Sequence, residues 1–124
     1  MAEEKTERMV IIGTHGGDDP ERASLPYVIG NAARAMEVEV IVALQANGVT
    51  TATKGIYEHI VAGGLDPLKK LVDTFLELGG KIWVCTPCIK EREITKEILL
   101  DGVELMAGGK LVQTCIEADT VLSY

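Results

Sequence analysis

Two cysteines three positions apart are the most chemically distinctive feature of the chain. Cys85 and Cys88 lie in the stretch K-I-W-V-C-T-P-C-I-K-E-R, residues 81–92. The apolar run that starts at Ile82 and ends at Cys85 is typical of a strand buried on both faces of a parallel sheet. Pro87 suits the first turn of a helix, which predicts a strand-to-helix transition between the two thiols. Cys85 would then lie at a helix N-terminus, where free N–H groups and the helix dipole are expected to lower its thiol pKa.

The other potential metal ligands do not favour a metal site. The chain has three cysteines and two histidines, and Cys115, His15 and His59 stand at no paired spacing. A zinc site needs about four ligands, so redox or sulfur chemistry at the C-x-x-C pair is the better interpretation, and no metal or cofactor is expected. Cys115 lies on an apolar helical stripe and is predicted to pack in the core, and His59 is predicted to be structural. The alternative for the pair itself is two small buried residues.

Composition limits the class of protein. The chain has 124 residues, 47% of them hydrophobic, which predicts a single domain over residues 1–124 with a real core. A net charge of −7 argues against nucleic acid as a partner. No apolar run approaches the roughly 18 residues of a membrane span, so no membrane partner is expected and a cytoplasmic location is predicted.

The periodicity of apolar residues predicts alternating strands and helices. Helices are expected to begin with Ser24 as N-cap, at Asp66-Pro67, after Pro87 and after Thr95, and a further one to include Leu111. Parallel strands joined by helices form a doubly wound sheet, so the fold class is α/β with five mostly parallel strands. The strands are expected over residues 9–13, 38–44, 82–85, 103–106 and 120–124, with Gly108-Gly109 ending the fourth.

The least regular segment is residues 45–65, which glycines interrupt at several points. It nevertheless carries the apolar residues Ile56, Tyr57, Ile60 and Val61, for which the core of a five-stranded monomer has no obvious place. We therefore expect this segment both to cover the site and to be buried between subunits of a homo-oligomer.

Several polar residues follow the predicted strands at the same edge of the sheet. Ligands of open parallel sheets bind outside the carboxyl ends of the strands, where strand order reverses, and Cys85 is predicted at that edge. His15 and Asn47, from the loops after the first two strands, are the side chains expected to neighbour it. Thr14, in the loop after the first strand, and Thr86, directly after Cys85, complete the predicted binding residues. His15 is equally well interpreted as a surface residue or as a group that tunes the thiol.

Three stretches together resemble the DsrE/DsrF-like family, which includes sulfur-relay subunits of the Tus type. They are Val84-Cys85 with Cys88 and Lys90-Glu91-Arg92, the opening Gly13-Thr14-His15-Gly16 with Asp19-Pro20, and the ending A-D-T-V-L-S-Y. The resemblance implies a flavodoxin-like three-layer α/β/α fold and assembly as oligomers, commonly trimers or hexamers. It also implies that a cysteine at the position of Cys85 carries a persulfide and passes its sulfur to a partner.

The predicted function is that of a cytoplasmic sulfur-handling protein, a sulfurtransferase or a sulfur carrier. Cys85 would accept sulfane sulfur, and Cys88 would act as a resolving or auxiliary thiol. The expected partners are further copies of the chain, as a homotrimer or homohexamer, and sulfur donor and acceptor proteins. Two alternatives remain: a thiol–disulfide oxidoreductase that uses the Cys85/Cys88 pair, and an oligomeric binding or scaffold protein whose cysteines are inert.

Overall fold

The computed structural model describes residues 6–124, over which helices and strands alternate. Three short 3-10 helices, Ala46–Ala52, Tyr57–His59 and Lys96–Ile98, occupy the longer connections. The strands are β1 (Arg8–Gly13), β2 (Glu39–Leu44), β3 (Lys81–Cys85), β4 (Glu104–Met106) and β5 (Thr120–Ser123). The α-helices are α1 (Pro20–Ala35), α2 (Leu68–Glu77), α3 (Thr86–Glu91) and α4 (Gly108–Glu117).

All five strands of the described chain pair in one sheet, in the order β4-β3-β2-β1-β5. Every pairing is parallel, so the predicted α/β class is confirmed and the mostly parallel sheet is entirely parallel. β2 lies at its centre, and Val40 to Leu44 are all buried, as expected for a strand that is covered on both faces. Leu44 pairs with Val84, and Cys85 pairs with Met106. The carboxyl ends of β2, β3 and β4 therefore lie at nearly the same height along the sheet, close to the thiol pair.

Alternate residues of the strands supply two separate cores, which gives the fold its three layers. α1 and α2 cover one face, where Tyr27 and Phe75 pack edge to face with ring centroids 5.8 Å apart. α4 covers the other face, where Leu111 joins a smaller cluster. The first core includes Ile11, Val40, Val42, Leu44, Ile82 and Val84, and the second includes Val10, Ile41, Ala43, Trp83 and Met106. The three-layer α/β/α expectation is thus confirmed.

The start of α1 was wrongly predicted at Ser24. Asp19 is the N-cap and accepts a hydrogen bond from the Arg22 N–H at 3.1 Å, and Pro20 takes the first helical position. Asp followed by Pro is a strong start signal because the carboxylate satisfies a free N–H and proline has none to satisfy. Ser24 is buried inside the helix, and its hydroxyl donates to the Pro20 carbonyl at 2.7 Å.

Two further boundaries differ from the prediction. Gly108 and Gly109 follow β4 as expected, but they form the first turn of α4 instead of a loop. Thr95 precedes a short helix as predicted, but that helix is of the 3-10 type and the Thr95 side chain makes no capping hydrogen bond.

The irregular segment 45–65 packs largely against its own chain. Tyr57 and Ile60 are only 6% and 4% exposed, and both belong to the core on the α1/α2 face. The single chain already buries these two residues, so the prediction that another subunit must cover them is wrong. Two short 3-10 helices turn them inward, which apolar periodicity does not reveal over so few residues. Ile56 and Val61 remain exposed.

Within residues 6–124 no helix has both the length and the apolar character to cross a bilayer.

Candidate functional site

Cys85 is the last residue of β3 and the N-cap of α3, so the predicted strand-to-helix transition at the thiols is confirmed. Its extended backbone (φ −67°, ψ 122°) completes the strand, and Pro87 lies in the first turn of the helix. Cys88 follows one helical turn later. Neither cysteine forms a disulfide, and both are partly exposed, which leaves them accessible to reagents.

Cys85 and Cys88 are close neighbours on one helical turn, and the Cys88 thiol and backbone N–H both affect the pKa of Cys85. The Ala46 N–H, at the end of β2, donates to Cys88 Sγ at 3.2 Å. The pair is therefore anchored to the carboxyl ends of both β2 and β3.

The predicted lowering of the Cys85 pKa is wrong. Burial is the largest influence and raises the pKa of Cys85, and the Cys88 thiol raises it further. The Cys88 N–H and the positive charge of Arg92 act in the opposite direction but are outweighed. The prediction rested on the effect of the helix N-terminus alone. Burial also removes water from the Cys85 sulfur, and this loss of hydration disfavours the thiolate. α3 also has only six residues, so few peptide dipoles align behind the thiol.

This shift predicts the pH dependence of alkylation. Because a raised pKa keeps the thiol protonated, Cys85 should react with iodoacetamide more slowly than free cysteine at about pH 6.5. Its rate should continue to rise at alkaline pH values where free cysteine has levelled off. Peptide-resolved mass spectrometry across a pH series measures this, with Cys85→Ser confirming the assignment of the labelled peptide. Labelling faster than free cysteine in mild acid would contradict it.

Asn47 reaches the thiol pair through an arginine that had been given no role. The Arg92 guanidinium donates to Asn47 Oδ1 from Nε at 3.1 Å and from Nη2 at 2.9 Å, and to the Cys88 carbonyl from Nη1 at 3.1 Å. Arg92 thus connects the loop after β2 to α3 and places a positive charge near both sulfurs. Arg92 follows Cys88 by four residues, about one helical turn, and this spacing could have indicated the contact from the sequence.

The two predicted threonines make structural hydrogen bonds. Thr86 Oγ1 donates to the Met106 carbonyl at 3.1 Å, which fixes the start of α3 against the end of β4. Thr14 Oγ1 and the Thr14 N–H both donate to the carbonyl of Tyr124, at 2.8 and 3.1 Å. Thr86 therefore lies beside the thiols, whereas Thr14 joins the exit of β1 to the end of the chain.

The hydrogen-bond partner of His15 is Asp18. His15 Nδ1 lies 2.8 Å from Asp18 Oδ2, and the Gly16 N–H donates to the other carboxylate oxygen at 2.8 Å. The hydrogen bond with His15 is the main cause that lowers the pKa of Asp18 to about 2. This loop packs on the segment after β2, since a side chain on Gly16 would meet the Asn47 carbonyl oxygen at 2.7 Å. His15 thus lies beside the Asn47 segment, at the β1 end where strand order reverses, two strands away from Cys85.

A cleft opens beside Cys85 between the first turns of α3 and α4. We call it the thiol cleft, and its volume is about 270 Å³. Its walls are Gln45, Cys85, Pro87, Met106, Ala107, Gly108 and Leu111. A larger and more open cavity of about 530 Å³ lies along β4, where its lining includes Lys96, Asp101, Glu104 and Lys110 but no cysteine.

No group of three or more His, Cys, Asp or Glu side chains within residues 6–124 could hold a metal ion. Cys115 lies on α4 and packs against the smaller core while remaining partly exposed.

Similar proteins cover nearly the whole chain. An uncharacterized protein of Methanocaldococcus jannaschii is 30% identical over 94% of this chain and 99% of its own length. One of Methanopyrus kandleri is 31% identical over 69% of this chain and 68% of its own. The crystal structure of the ychN protein from E. coli superposes with a TM-score of 0.81 at 21% identity, covering 96% of this chain and 100% of that one. A protein of unknown function from Methanobacterium thermoautotrophicum superposes with a TM-score of 0.76 at 17% identity, covering 95% and 99%.

The family comparison agrees with the fold and with the position of the thiols. The model of the DsrE/DsrF-like family matches residues 7–124, which include the whole sheet and both site cysteines. The chain therefore belongs to the DsrE/DsrF-like family.

Proposed function

We propose that this protein accepts sulfane sulfur as a persulfide on Cys85 and passes it to an acceptor. The family is generally linked to sulfur relay, and this supports the chemistry without identifying a donor or an acceptor. The observation that carries the proposal is the partly exposed, disulfide-free Cys85 at the end of β3, beside both a second thiol and an open cleft. A cytoplasmic location is part of the proposal, because a reducing compartment keeps such a cysteine pair free of disulfides between turnovers.

Sulfur uptake is a nucleophilic displacement at sulfur. The Cys85 thiolate attacks the outer sulfur of a donor R–S–SH, the new bond forms at Cys85 Sγ, and R–S⁻ leaves. Electrons balance without an external oxidant. The raised pKa makes loss of the Cys85 proton a costly part of this step. The Cys88 N–H and the Arg92 charge favour the anionic sulfur once the proton is lost.

Cys88 is proposed as the resolving thiol. It lies one helical turn from Cys85, and its thiol is near enough to raise the Cys85 pKa. Attack of the Cys88 thiolate on the inner sulfur of the persulfide would form a Cys85–Cys88 disulfide and expel HS⁻. Cys88 would thereby limit the lifetime of the persulfide when no acceptor is present.

The same contact between the thiols favours one alternative, a thiol–disulfide oxidoreductase. That protein would equilibrate its cysteine pair with a glutathione redox buffer and would form no stable persulfide. A scaffold with inert cysteines predicts instead that both thiols resist alkylation, and their partial exposure argues against it.

We also propose that the protein assembles as a homotrimer or homohexamer, with exposed apolar side chains of α4 and β5 at the interface. Ile116, Val112 and Val121 are 72%, 59% and 43% exposed. Light scattering at tens of micromolar should give three or six times the 13.3 kDa chain mass. Ile116→Lys should reduce that mass because it places a charge in the apolar contact. A monomeric wild-type protein would refute the assembly.

The proposed function is tested by intact-mass measurement after incubation with a persulfide donor and removal of excess reagent. The protein should gain the mass of one sulfur atom, and dithiothreitol should remove it. Because resolution by Cys88 also ends in a disulfide, the two functions are separated in Cys88→Ser: a variant that gains no sulfur, while wild type loses two hydrogen masses, would identify the oxidoreductase instead.

A further inference from the structure

We propose that the thiol cleft binds the organic group of a small persulfide donor, and that this group is apolar and uncharged. The inference rests on the proposed function and names the class of donor for the same site. It concerns the uptake step only, and partner proteins remain possible acceptors.

Three strand ends build the cleft and hold its walls in place. Gln45 follows β2, Cys85 and Pro87 lie at the junction of β3 and α3, and Gly108 begins α4. The hydrogen bond from Thr86 Oγ1 to the Met106 carbonyl joins the α3 wall to the β4 wall. The cleft is therefore formed by regular elements and exists before a donor arrives.

The lining of the cleft selects against charged ligands. Met106 and Leu111 form the buried floor of the cleft, and the Gln45 side chain contributes a polar amide group. Among the residues that the structure describes, no charged side chain lines it. An ammonium group placed there would lose hydration and face the positive ends of α3 and α4, and a carboxylate would lose hydration without an ionic side chain in the lining to pair with. The net charge of −7 adds repulsion against anionic donors in general. The charged cavity along β4 would suit such donors better, but no cysteine lines it.

The size of the cleft selects for small donors. Its 270 Å³ equals roughly nine water volumes at about 30 Å³ each. That lies just below the range of about 300–1,000 Å³ for sites that hold drug-sized ligands. A short alkyl group with its two sulfurs fits this volume, whereas a tripeptide persulfide such as that of glutathione brings carboxylate and ammonium groups for which the lining has no charged side chain.

In the resulting complex the alkyl group would contact Met106 and Leu111, and the outer sulfur of R–S–SH would face Cys85 Sγ. The reaction is the displacement described above. Cys85 releases its proton to solvent, its sulfur bonds to the outer sulfur, and R–S⁻ leaves and takes a proton from water. The products are the Cys85 persulfide and R–SH.

Two adjacent glycines supply a matched pair of variants. A Cβ atom added at Gly108 or at Gly109 meets no other atom within 4 Å, and both residues lie in the first turn of α4. Gly108 lines the cleft and Gly109 does not. Gly108→Leu places a bulky side chain at the wall of the cleft, while Gly109→Leu makes the same chemical change at a residue that does not line it. Gly108→Ala provides a smaller step at the same position.

The experiment compares initial rates of sulfur gain from ethyl persulfide and from glutathione persulfide, with thermal melting as a check on folding. We expect wild type to prefer ethyl persulfide by about tenfold or more, a ratio typical of a pocket matched to a small apolar group. Gly108→Leu should lose most of this rate, Gly108→Ala part of it, and Gly109→Leu almost none.

Equal rates for Gly108→Leu and Gly109→Leu would overturn the inference, as would a wild-type preference for glutathione persulfide or for thiosulfate. If wild type gains sulfur from glutathione persulfide or thiosulfate, the proposed function is supported, and only the assignment of the cleft to a small apolar donor is wrong. If it gains sulfur from no donor, both fail together.

Discussion

Replacing Cys85 by serine abolishes sulfur uptake, if Cys85 is the acceptor. A serine hydroxyl is hardly ionised at neutral pH and forms no persulfide, so the effect should be complete and not graded. Intact-mass spectra after incubation with ethyl persulfide should show the unmodified mass of the variant. Serine is close to cysteine in size and is itself a favoured residue at the helix N-cap that Cys85 occupies, so the fold should persist.

Cys88→Ser separates the roles of the two thiols. Without the Cys88 sulfur, nothing at that position can attack the Cys85 persulfide, so the adduct should persist longer than in wild type. Cys115→Ser should leave both formation and decay unchanged, since that residue lies on α4 and packs against the smaller core. An adduct that forms on Cys88 in the Cys85→Ser protein at the wild-type rate would show that Cys88 is the nucleophile.

Ile60→Asp should unfold a large fraction of the protein. Ile60 is 4% exposed in the core on the α1/α2 face, and a carboxylate placed there loses its hydration without a partner. An uncompensated buried charge costs about 3–5 kcal/mol, which is a large share of the total stability of a typical domain. The change therefore acts on folding before it acts on assembly.

Val61→Asp is the matched control because the adjacent side chain is 56% exposed. It should alter the free energy of unfolding by no more than about 0.5 kcal/mol. Urea denaturation followed by circular dichroism measures both variants. Equal midpoints for the two would show that Ile60 is not part of the monomer core.

The sheet was predictable because its strands carry their own signal. Continuous β-branched and apolar runs such as residues 40–44 occur where both faces are covered, and the glycines after α2 mark the end of that helix. The same local signals misplaced the start of α1, because two acceptable N-cap residues, Asp19 and Ser24, compete within one and a half turns. Long-range packing decides between such candidates, as it does for the inward turn of Tyr57 and Ile60.

The position of the candidate site was predictable from the sequence, but the pKa of its thiol was not. A thiol at the end of a strand and the start of a helix follows from the run before Cys85 and from Pro87. Its pKa depends on burial and on the neighbouring thiol, which are properties of the folded chain. Asn47 was expected near Cys85 from topology, but the contact goes through Arg92, and only the folded structure shows that link.

The most direct test of the central claim is transfer of sulfur from the persulfidated protein to a second thiol. The protein is loaded with a limiting amount of ethyl persulfide, freed of the donor and mixed with a thiol acceptor, and peptides are mapped by mass spectrometry after rapid alkylation. The account predicts that the Cys85 peptide gains one sulfur atom on loading and loses it to the acceptor on mixing. A Cys85 peptide that never gains sulfur, in wild type and in Cys88→Ser alike, or an acceptor that stays unmodified after mixing with loaded Cys88→Ser protein, would contradict it.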